Sequence, residues 1–279
     1  MQDLLTAGAH FGHKVSRAHP KMRQFIYGAR DGVDIIDLAK TEEKLKEASQ
    51  AAYELGKNGG VMLIMGTKKQ ARDIIESLAK EVDAPYLSVR WVGGLFTNFE
   101  EIKKNFDKLN KLKVEQEKGE LSRYTKKEQL LISRKLNKFE IELGGATNLE
   151  KIPDAIFIID AVSDQTAVKE AIKVGIKMFG ICDTNSDPNW FDYPVPANDD
   201  GIKSIKMICE TVIKAYGAGK KEAGDRLAKE ELKKEEKKKT EGVADVLDSK
   251  VAEETAVLEE VIEKAVVEES ERKPGRVEE

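Results

Sequence analysis

Val61-Met-Leu-Ile-Met-Gly-Thr-Lys-Lys-Gln-Ala-Arg-Asp-Ile-Ile75 is the stretch that decides the fold. Residues 61–65 are apolar without alternation, the pattern of a strand covered on both faces rather than one open to water on one side. After Gly66 the period changes. Ala71, Ile74, Ile75, Leu78 and Val82 recur at steps of three and four, which predicts a helix over 69–82. Strand, glycine-led turn and amphipathic helix together make one βα unit.

Working outward, residues 86–89, 155–159 and 178–182 repeat the short apolar run. Helical patterns lie at 41–55 (Leu45, Ala48, Ala52, Leu55), 166–174 and 199–216. Strands alternating with helices predict an α/β class with a doubly wound, mostly parallel sheet, a flavodoxin- or Rossmann-like three-layer architecture. Residues 25–27 and 33–36, separated by a turn from Gly28 to Gly32, read as a small hairpin at its entry.

The alternation is interrupted once. Ile102, Phe106, Leu109 and Leu112 are followed, after Gly119, by Ile132, Leu136, Phe139 and Leu143, with lysine and glutamate between. This predicts an inserted antiparallel coiled-coil helical hairpin over 99–143, whose seam residues pack on one another rather than on the main core. The expected organisation is a discontinuous α/β domain (1–98 and 144–219), the hairpin insertion (99–143) and a charged tail (220–279). Bases outnumber acids twelve to nine over 100–142. That excess suits either phosphate contact or a solvated helix pair held by i,i+4 ion pairs.

Charge is unevenly placed. The chain of 279 residues carries a net −4, yet residues 241–279 alone hold thirteen acids against five bases, a net −8. The remaining body is therefore mildly basic. The tail, lysine- and glutamate-rich from 229 to 239 and then acidic and free of aromatics, offers too little apolar surface to offset the entropy of ordering and is expected to be disordered. The longest apolar runs are far too short to cross a bilayer, and residues 1–9 lack the basic and apolar regions of a signal peptide. Two widely separated cysteines, Cys182 and Cys209, imply no disulfide framework and fit a reducing cytoplasm.

Residues 8–31 concentrate the candidate binding groups. All three histidines (His10, His13, His19) lie here with Lys14, Arg17, Lys21, Arg23 and Arg30, interleaved with Phe11, Phe25 and Tyr27. Asp3 is the lone acid within 1–30. A cationic arm studded with aromatic rings grips phosphates and stacks on bases. Zinc would need a closed ligand set, and no cysteine or acid neighbours the histidines in sequence, so no metal is expected.

Two further motifs join the arm. Gly66-Thr67-Lys68-Lys69-Gln70 opens a helix and offers backbone N–H groups with two lysines to an anion, without the spacing that wraps a triphosphate. Ser88-Val-Arg-Trp-Val-Gly-Gly-Leu-Phe-Thr-Asn-Phe99 brings Arg90, Trp91 and Asn98 around a Gly93-Gly94 turn, a second wall for RNA. Asp160, Asp183, Asp187, Asp199 and Asp200 fall at strand ends, where a doubly wound sheet keeps its ligands, and a Mg²⁺-dependent nucleotide or phosphoryl-transfer enzyme is the alternative they raise. No nucleophile or base accompanies them, and Asp183-Thr-Asn-Ser-Asp-Pro188 and Asn198-Asp199 are equally turn and cap sequences.

Eight motifs occur in order: Ala7-Gly-Ala-His-Phe-Gly-His13, His19-Pro-Lys-Met22, Ile26-Tyr-Gly-Ala-Arg30, the 61–70 segment with Gly-Thr-Lys-Lys-Gln, Arg90-Trp-Val-Gly-Gly-Leu-Phe-Thr-Asn-Phe99, Ile152-Pro-Asp-Ala155, Asp183-Thr-Asn-Ser-Asp-Pro188 and Pro196-Ala-Asn-Asp-Asp200. Together, over about 3–217, they closely resemble the bacterial-type small-subunit ribosomal protein two family. The resemblance implies a non-enzymatic, cofactor-free protein of the bacterial ribosome in the cytoplasm. It would sit near the head–body junction against small-subunit ribosomal RNA and neighbouring ribosomal proteins, among them the large mRNA-binding ribosomal protein one. The sequence departs from the family pattern at Ala197, where glycine is usual, at Phe96, where leucine is usual, and at Glu100-Glu101, where lysine and threonine are frequent.

Overall fold

A computed structural model of the chain describes residues 1–119, 124–147 and 149–226. Met1–Ala223 form one compact unit and Gly224–Glu279 are grouped apart from it. The first unit opens with a short helix, α1 (Gln2–Thr6), followed by three strands, β1 (Phe11–Lys14), β2 (Ile26–Arg30) and β3 (Val33–Ile36). They form an antiparallel sheet of order β1-β3-β2. The β2–β3 hairpin is present as expected but its turn is tighter than Gly28 to Gly32: Gly28, Ala29 and Arg30 pair with Ile35, Asp34 and Val33, and the chain turns at Asp31 and Gly32, both at positive φ. Within the arm, residues 11–14 form a strand that the sequence pattern did not mark. A Cβ at Gly12 would lie 2.5 Å from Thr184 Cγ2, so the missing side chain lets this strand lie directly on the main domain.

Helix α2 (Leu38–Lys57) leads into the main sheet, started by Asp37, whose carboxylate accepts from Ala39 N at 3.0 Å. The sheet contains β4 (Met62–Met65), β5 (Tyr86–Leu87), β6 (Ala155–Ile158), β7 (Lys177–Cys182) and β8 (Tyr193–Pro196), connected through α3 (Lys69–Glu81) and α6 (Gln165–Val174). All neighbouring pairs are parallel and the order is β5-β4-β6-β7-β8. In chain order this is second, first, third, fourth, fifth, the flavodoxin-like winding, which reverses direction between β4 and β6. Strand β8 was not legible in the sequence because Pro194 and Pro196 lack the ladder donor. An edge strand tolerates proline, and β8 is an edge.

The unbroken apolar runs are explained by burial on both faces. Met62 and Ile64 point into one core with Leu45, Ala48, Ile75, Ile208 and Val212; Leu63 and Met65 point into the other with Ala167, Val168 and Ala171. The first face is covered by α2, α3 and the C-terminal helix α7, which runs from residue 202 through the end of the unit at 223. The second is covered by α6, by Met22 and Phe25 of the arm, and by Leu95 and Phe96.

Helices α4 (Phe99–Glu117) and α5 (Lys126–Leu143) form the inserted pair. Thr125 and Glu128 build a reciprocal capping box at the start of α5. The helices meet through Phe106 and Phe139, whose rings cross edge to face at 5.7 Å, and through Lys113–Glu140 at 2.7 Å. The expectation that their apolar residues serve only one another fails at the base. Phe106 and Leu143 are buried in the second core together with Leu63, Met65 and Ile156, while Val114, Leu130 and Leu131 farther along are exposed.

Order also continues past Gly219. Lys220 pairs with Asp83 at 2.8 Å and Ala223 is buried, so the expected tail boundary falls at least one turn too early. The disorder expected of the remaining tail lies outside the described residues from 227 onward.

Candidate nucleic-acid interface

Every candidate element except the arm leaves the C-terminal end of a parallel strand, and the arm docks there. His13 N donates to Thr184 Oγ1 at 2.8 Å and His19 N to the Thr184 carbonyl at 2.7 Å. His19 also accepts from Lys21 N at 3.4 Å, starting the turn at Pro20–Phe25. That turn inserts Met22 and Phe25 into the same core as Leu95 and Phe96 of the 88–99 loop. Both predicted walls are therefore anchored on one face of the sheet.

The positive groups divide into two sets. Lys14, Arg17, Arg23 and Lys69 are exposed and have no acidic partner among the described residues. Arg30 is exposed on the β2–β3 turn with only its equally exposed neighbour Asp31 at 3.7 Å. Phe11 on β1 and Tyr27 on β2 have half or more of their surface in water, and His10 lies half-buried against the Phe11 ring at 4.0 Å. Asn98 is exposed at the start of α4.

The second set is tied to internal acids. Lys68 Nζ lies 2.7 Å from Asp199, 2.8 Å from Asp200 and 3.1 Å from Asp160. Burial alone would lower its pKa, but these carboxylates outweigh it and hold the ammonium above the usual lysine range. Lys21 pairs with Asp187 at 2.7 Å and Arg90 with Glu142 at 2.9 Å. Trp91 Nε1 donates to Glu170 at 3.1 Å. Each of these four was an expected RNA contact from sequence, and each is oriented by an acid distant in sequence.

The acids at the strand ends hold turns. Asp160 accepts from Val162 N, Ser163 N and Ser163 Oγ, and Asp183 accepts from Thr184 N and Asp199 N. Asp187 caps the turn at Asn189, and Asn198 accepts from Asp200 N and Gly201 N. Burial pushes Asp199 up to about 7 and Asp164, bonded to Thr67 Oγ1, up to about 6. The crevice where the sheet reverses, normally a ligand seat, is thus spanned by the chain's own Thr67–Asp164 and Lys68–Asp160 contacts.

His13 is the histidine drawn into this network. Its Nδ1 lies 3.2 Å from Asp183 and its Nε2 3.5 Å from Asp200. Contact with Asp183 raises the imidazole pKa, with burial opposing. Among the described residues, His13, Asp199 and Asp200 are the group whose ligand atoms come within 4.8 Å of one another, the spacing a cation would need. The histidines do not gather as a trio there. The acids that sequence proximity did not supply come instead from the loops after β7 and β8.

Comparison with known proteins agrees with this architecture. Residues 4–219 match the family described as ribosomal protein S2. The chain is 41% identical over 253 residues to the small ribosomal subunit protein uS2 of a Nitratiruptor species, covering 91% of this chain and 95% of that protein. It is 42% identical over 225 residues to the protein of that name from Aliarcobacter butzleri, covering 81% and 85%, and 41% identical over 225 residues to that of Helicobacter hepaticus, again covering 81% and 85%. With the family match spanning the arm, the sheet and the inserted helices, the chain belongs to the ribosomal protein S2 family.

Proposed function

We propose that this protein is a structural constituent of the small ribosomal subunit that holds ribosomal RNA through its N-terminal arm. The observation that carries the assignment is the exposed set Lys14, Arg17, Arg23 and Lys69, unpaired among the described residues, together with exposed Phe11 and Tyr27 on the three-stranded sheet that carries Lys14. Unpaired cations neutralise backbone phosphate and flat rings stack on unpaired bases. Lys68, Lys21 and Trp91 act as framework for that surface, because internal acids already orient them. Its protein neighbours, by family resemblance, include the mRNA-binding ribosomal protein one, and its compartment is the bacterial cytoplasm. The α4–α5 pair, with twelve bases against nine acids over 100–142, is a second contact element.

The test is RNA affinity against salt. Each phosphate-contacting cation contributes about 0.7–0.9 to the slope of log K against log salt. Replacing Lys14, Arg17, Arg23 and Lys69 with alanine should reduce the slope for small-subunit ribosomal RNA by roughly three units. An unchanged slope would refute the assignment of the arm.

A further inference from the structure

The loop between β5 and α4 is built around one carboxylate. Glu170 lies on α6, is nine-tenths buried, and accepts five hydrogen bonds from this loop. Its Oε1 accepts from Trp91 Nε1 at 3.1 Å and Gly94 N at 2.8 Å. Its Oε2 accepts from Phe96 N at 3.1 Å and from Thr97 N and Oγ1, both at 3.3 Å. No cation accompanies it among these contacts, and main-chain, indole and hydroxyl dipoles compensate its charge. The loop turns at Gly94 with φ +89°, a conformation that L side chains rarely adopt, and Gly93 beside it is exposed with open space around it. Trp91 further packs edge to face on Phe96 at 4.7 Å.

We propose that Glu170 is a positioning residue: its carboxylate gathers the 91–97 loop into one conformation before RNA arrives, presenting the open Gly93–Gly94 backbone and the adjoining Asn98 as a preset contact. The inference rests on the RNA-facing reading of this loop given above. Glu170 itself touches no RNA in this arrangement, because both its oxygens face the loop's donors. Its contribution is the conformational ordering that a flexible loop would otherwise lose on binding. The acceptor chemistry is specific. Oε1 takes two donors and Oε2 three, a load for two acceptor oxygens that a carboxylate has and an amide, with one oxygen, lacks. Burial raises the pKa of Glu170, but the Gly94, Trp91, Phe96 and Thr97 donors outweigh it and hold the group below the usual glutamate range.

The experiment compares wild type with Glu170→Gln by amide hydrogen exchange on the free protein, and then by RNA binding across salt concentrations. The glutamine turns an NH2 toward the two donors of Oε1 or the three of Oε2, and the loop, held as one unit, loosens in either orientation. Exchange at Gly94, Phe96 and Thr97 should rise at least about tenfold, the equivalent of one lost bond to a charged acceptor, while Phe157 in β6 stays protected. If the loop then holds its binding geometry about a tenth of the time, affinity for small-subunit ribosomal RNA should fall by about tenfold. The salt slope should stay unchanged, because no cation has been removed. Trp91→Phe keeps a ring against Phe96 but removes one donor. It should loosen Gly94 by a smaller factor in the same direction, and it carries the test should Glu170→Gln not fold. Unchanged loop exchange in both variants overturns the proposal, as does a loosened loop with undiminished RNA affinity. Wild-type protein that shows no salt-dependent RNA binding defeats the RNA-facing reading itself, a failure seen without any Glu170 variant.

Discussion

Lys68→Met should destabilise the fold strongly, and more so at high pH. The Lys68 side chain is 16% exposed and its ammonium is shared by Asp160 and Asp199, whose side chains are 5% and 3% exposed, and by the more open Asp200. Methionine fills the same length without charge, leaving two buried carboxylates without their ammonium, with Asp183 and the His13 imidazole close by. Removing one partner from a buried ion pair typically costs about 3–5 kcal/mol. At about 2–4 °C per kcal/mol for a domain of this size, the melting temperature should drop by roughly 6–20 °C at pH 8. The pH dependence follows from Asp199. Burial already lifts its pKa to about 7 from an ordinary 3.8, and losing Lys68 lifts it further. A carboxyl whose folded pKa exceeds its unfolded value penalises folding above that folded pKa, and the penalty fades as pH falls through it. The difference between variant and wild type should therefore be wide at pH 8 and narrow at pH 5. Melting followed by circular dichroism at pH 5, 6.5 and 8 measures it. A difference at pH 8 below about 1 kcal/mol, or one that widens on acidification, would refute the description of Lys68 as a buried counter-ion.

Phe106→Ala should cost about 3–5 kcal/mol by urea unfolding, because it opens the second core, whereas Val114→Ala on the same helix should stay within about 0.5 kcal/mol. Gly219→Ala should destabilise by about 1–3 kcal/mol, because its Cβ would strike the Tyr53 carbonyl where α7 crosses α2; a neutral result would mean the helices separate without strain. Asp164→Asn should raise the melting temperature at pH 8, and that advantage should shrink as pH falls below about 6 and disappear only near 3.8, where the unfolded chain's carboxyl is protonated too. The native carboxyl, lifted to about 6 by burial, penalises folding wherever the unfolded one, near 3.8, is ionised. In RNA titrations, Arg23→Ala should reduce the salt slope by about one unit while Lys21→Ala, whose ammonium is paired with Asp187, should change it less.

Much of the fold is written in local pattern. The run at 61–65 and the step of three and four after Gly66 predict β4 and α3 within a residue or two, because burial on both faces leaves no room for polar alternation. Strand β8 escaped because its prolines suit an edge, a property of its neighbours rather than of its own sequence. The base of the helical pair escaped for a similar reason: Phe106 has the same spacing as the seam residues, and tertiary contact alone makes it a core residue. In the site, residue types at 10–30 announce a cationic, aromatic surface, but which cations are free is decided by acids far along the chain. Lys68 finds Asp160 and Asp199, and Lys21 finds Asp187. Glu170 carries no local signal, since a lone glutamate on an amphipathic helix looks like any solvated one.

The most direct measurement is sedimentation of the protein with small ribosomal subunits through a sucrose gradient, wild type beside the variant with Lys14, Arg17, Arg23 and Lys69 replaced by alanine. Wild type should travel with the subunits. The variant, folded by circular dichroism, should remain at the top. A wild-type protein that stays at the top, or a four-site variant that sediments normally with the subunits, would contradict the assignment of this arm as the grip on ribosomal RNA.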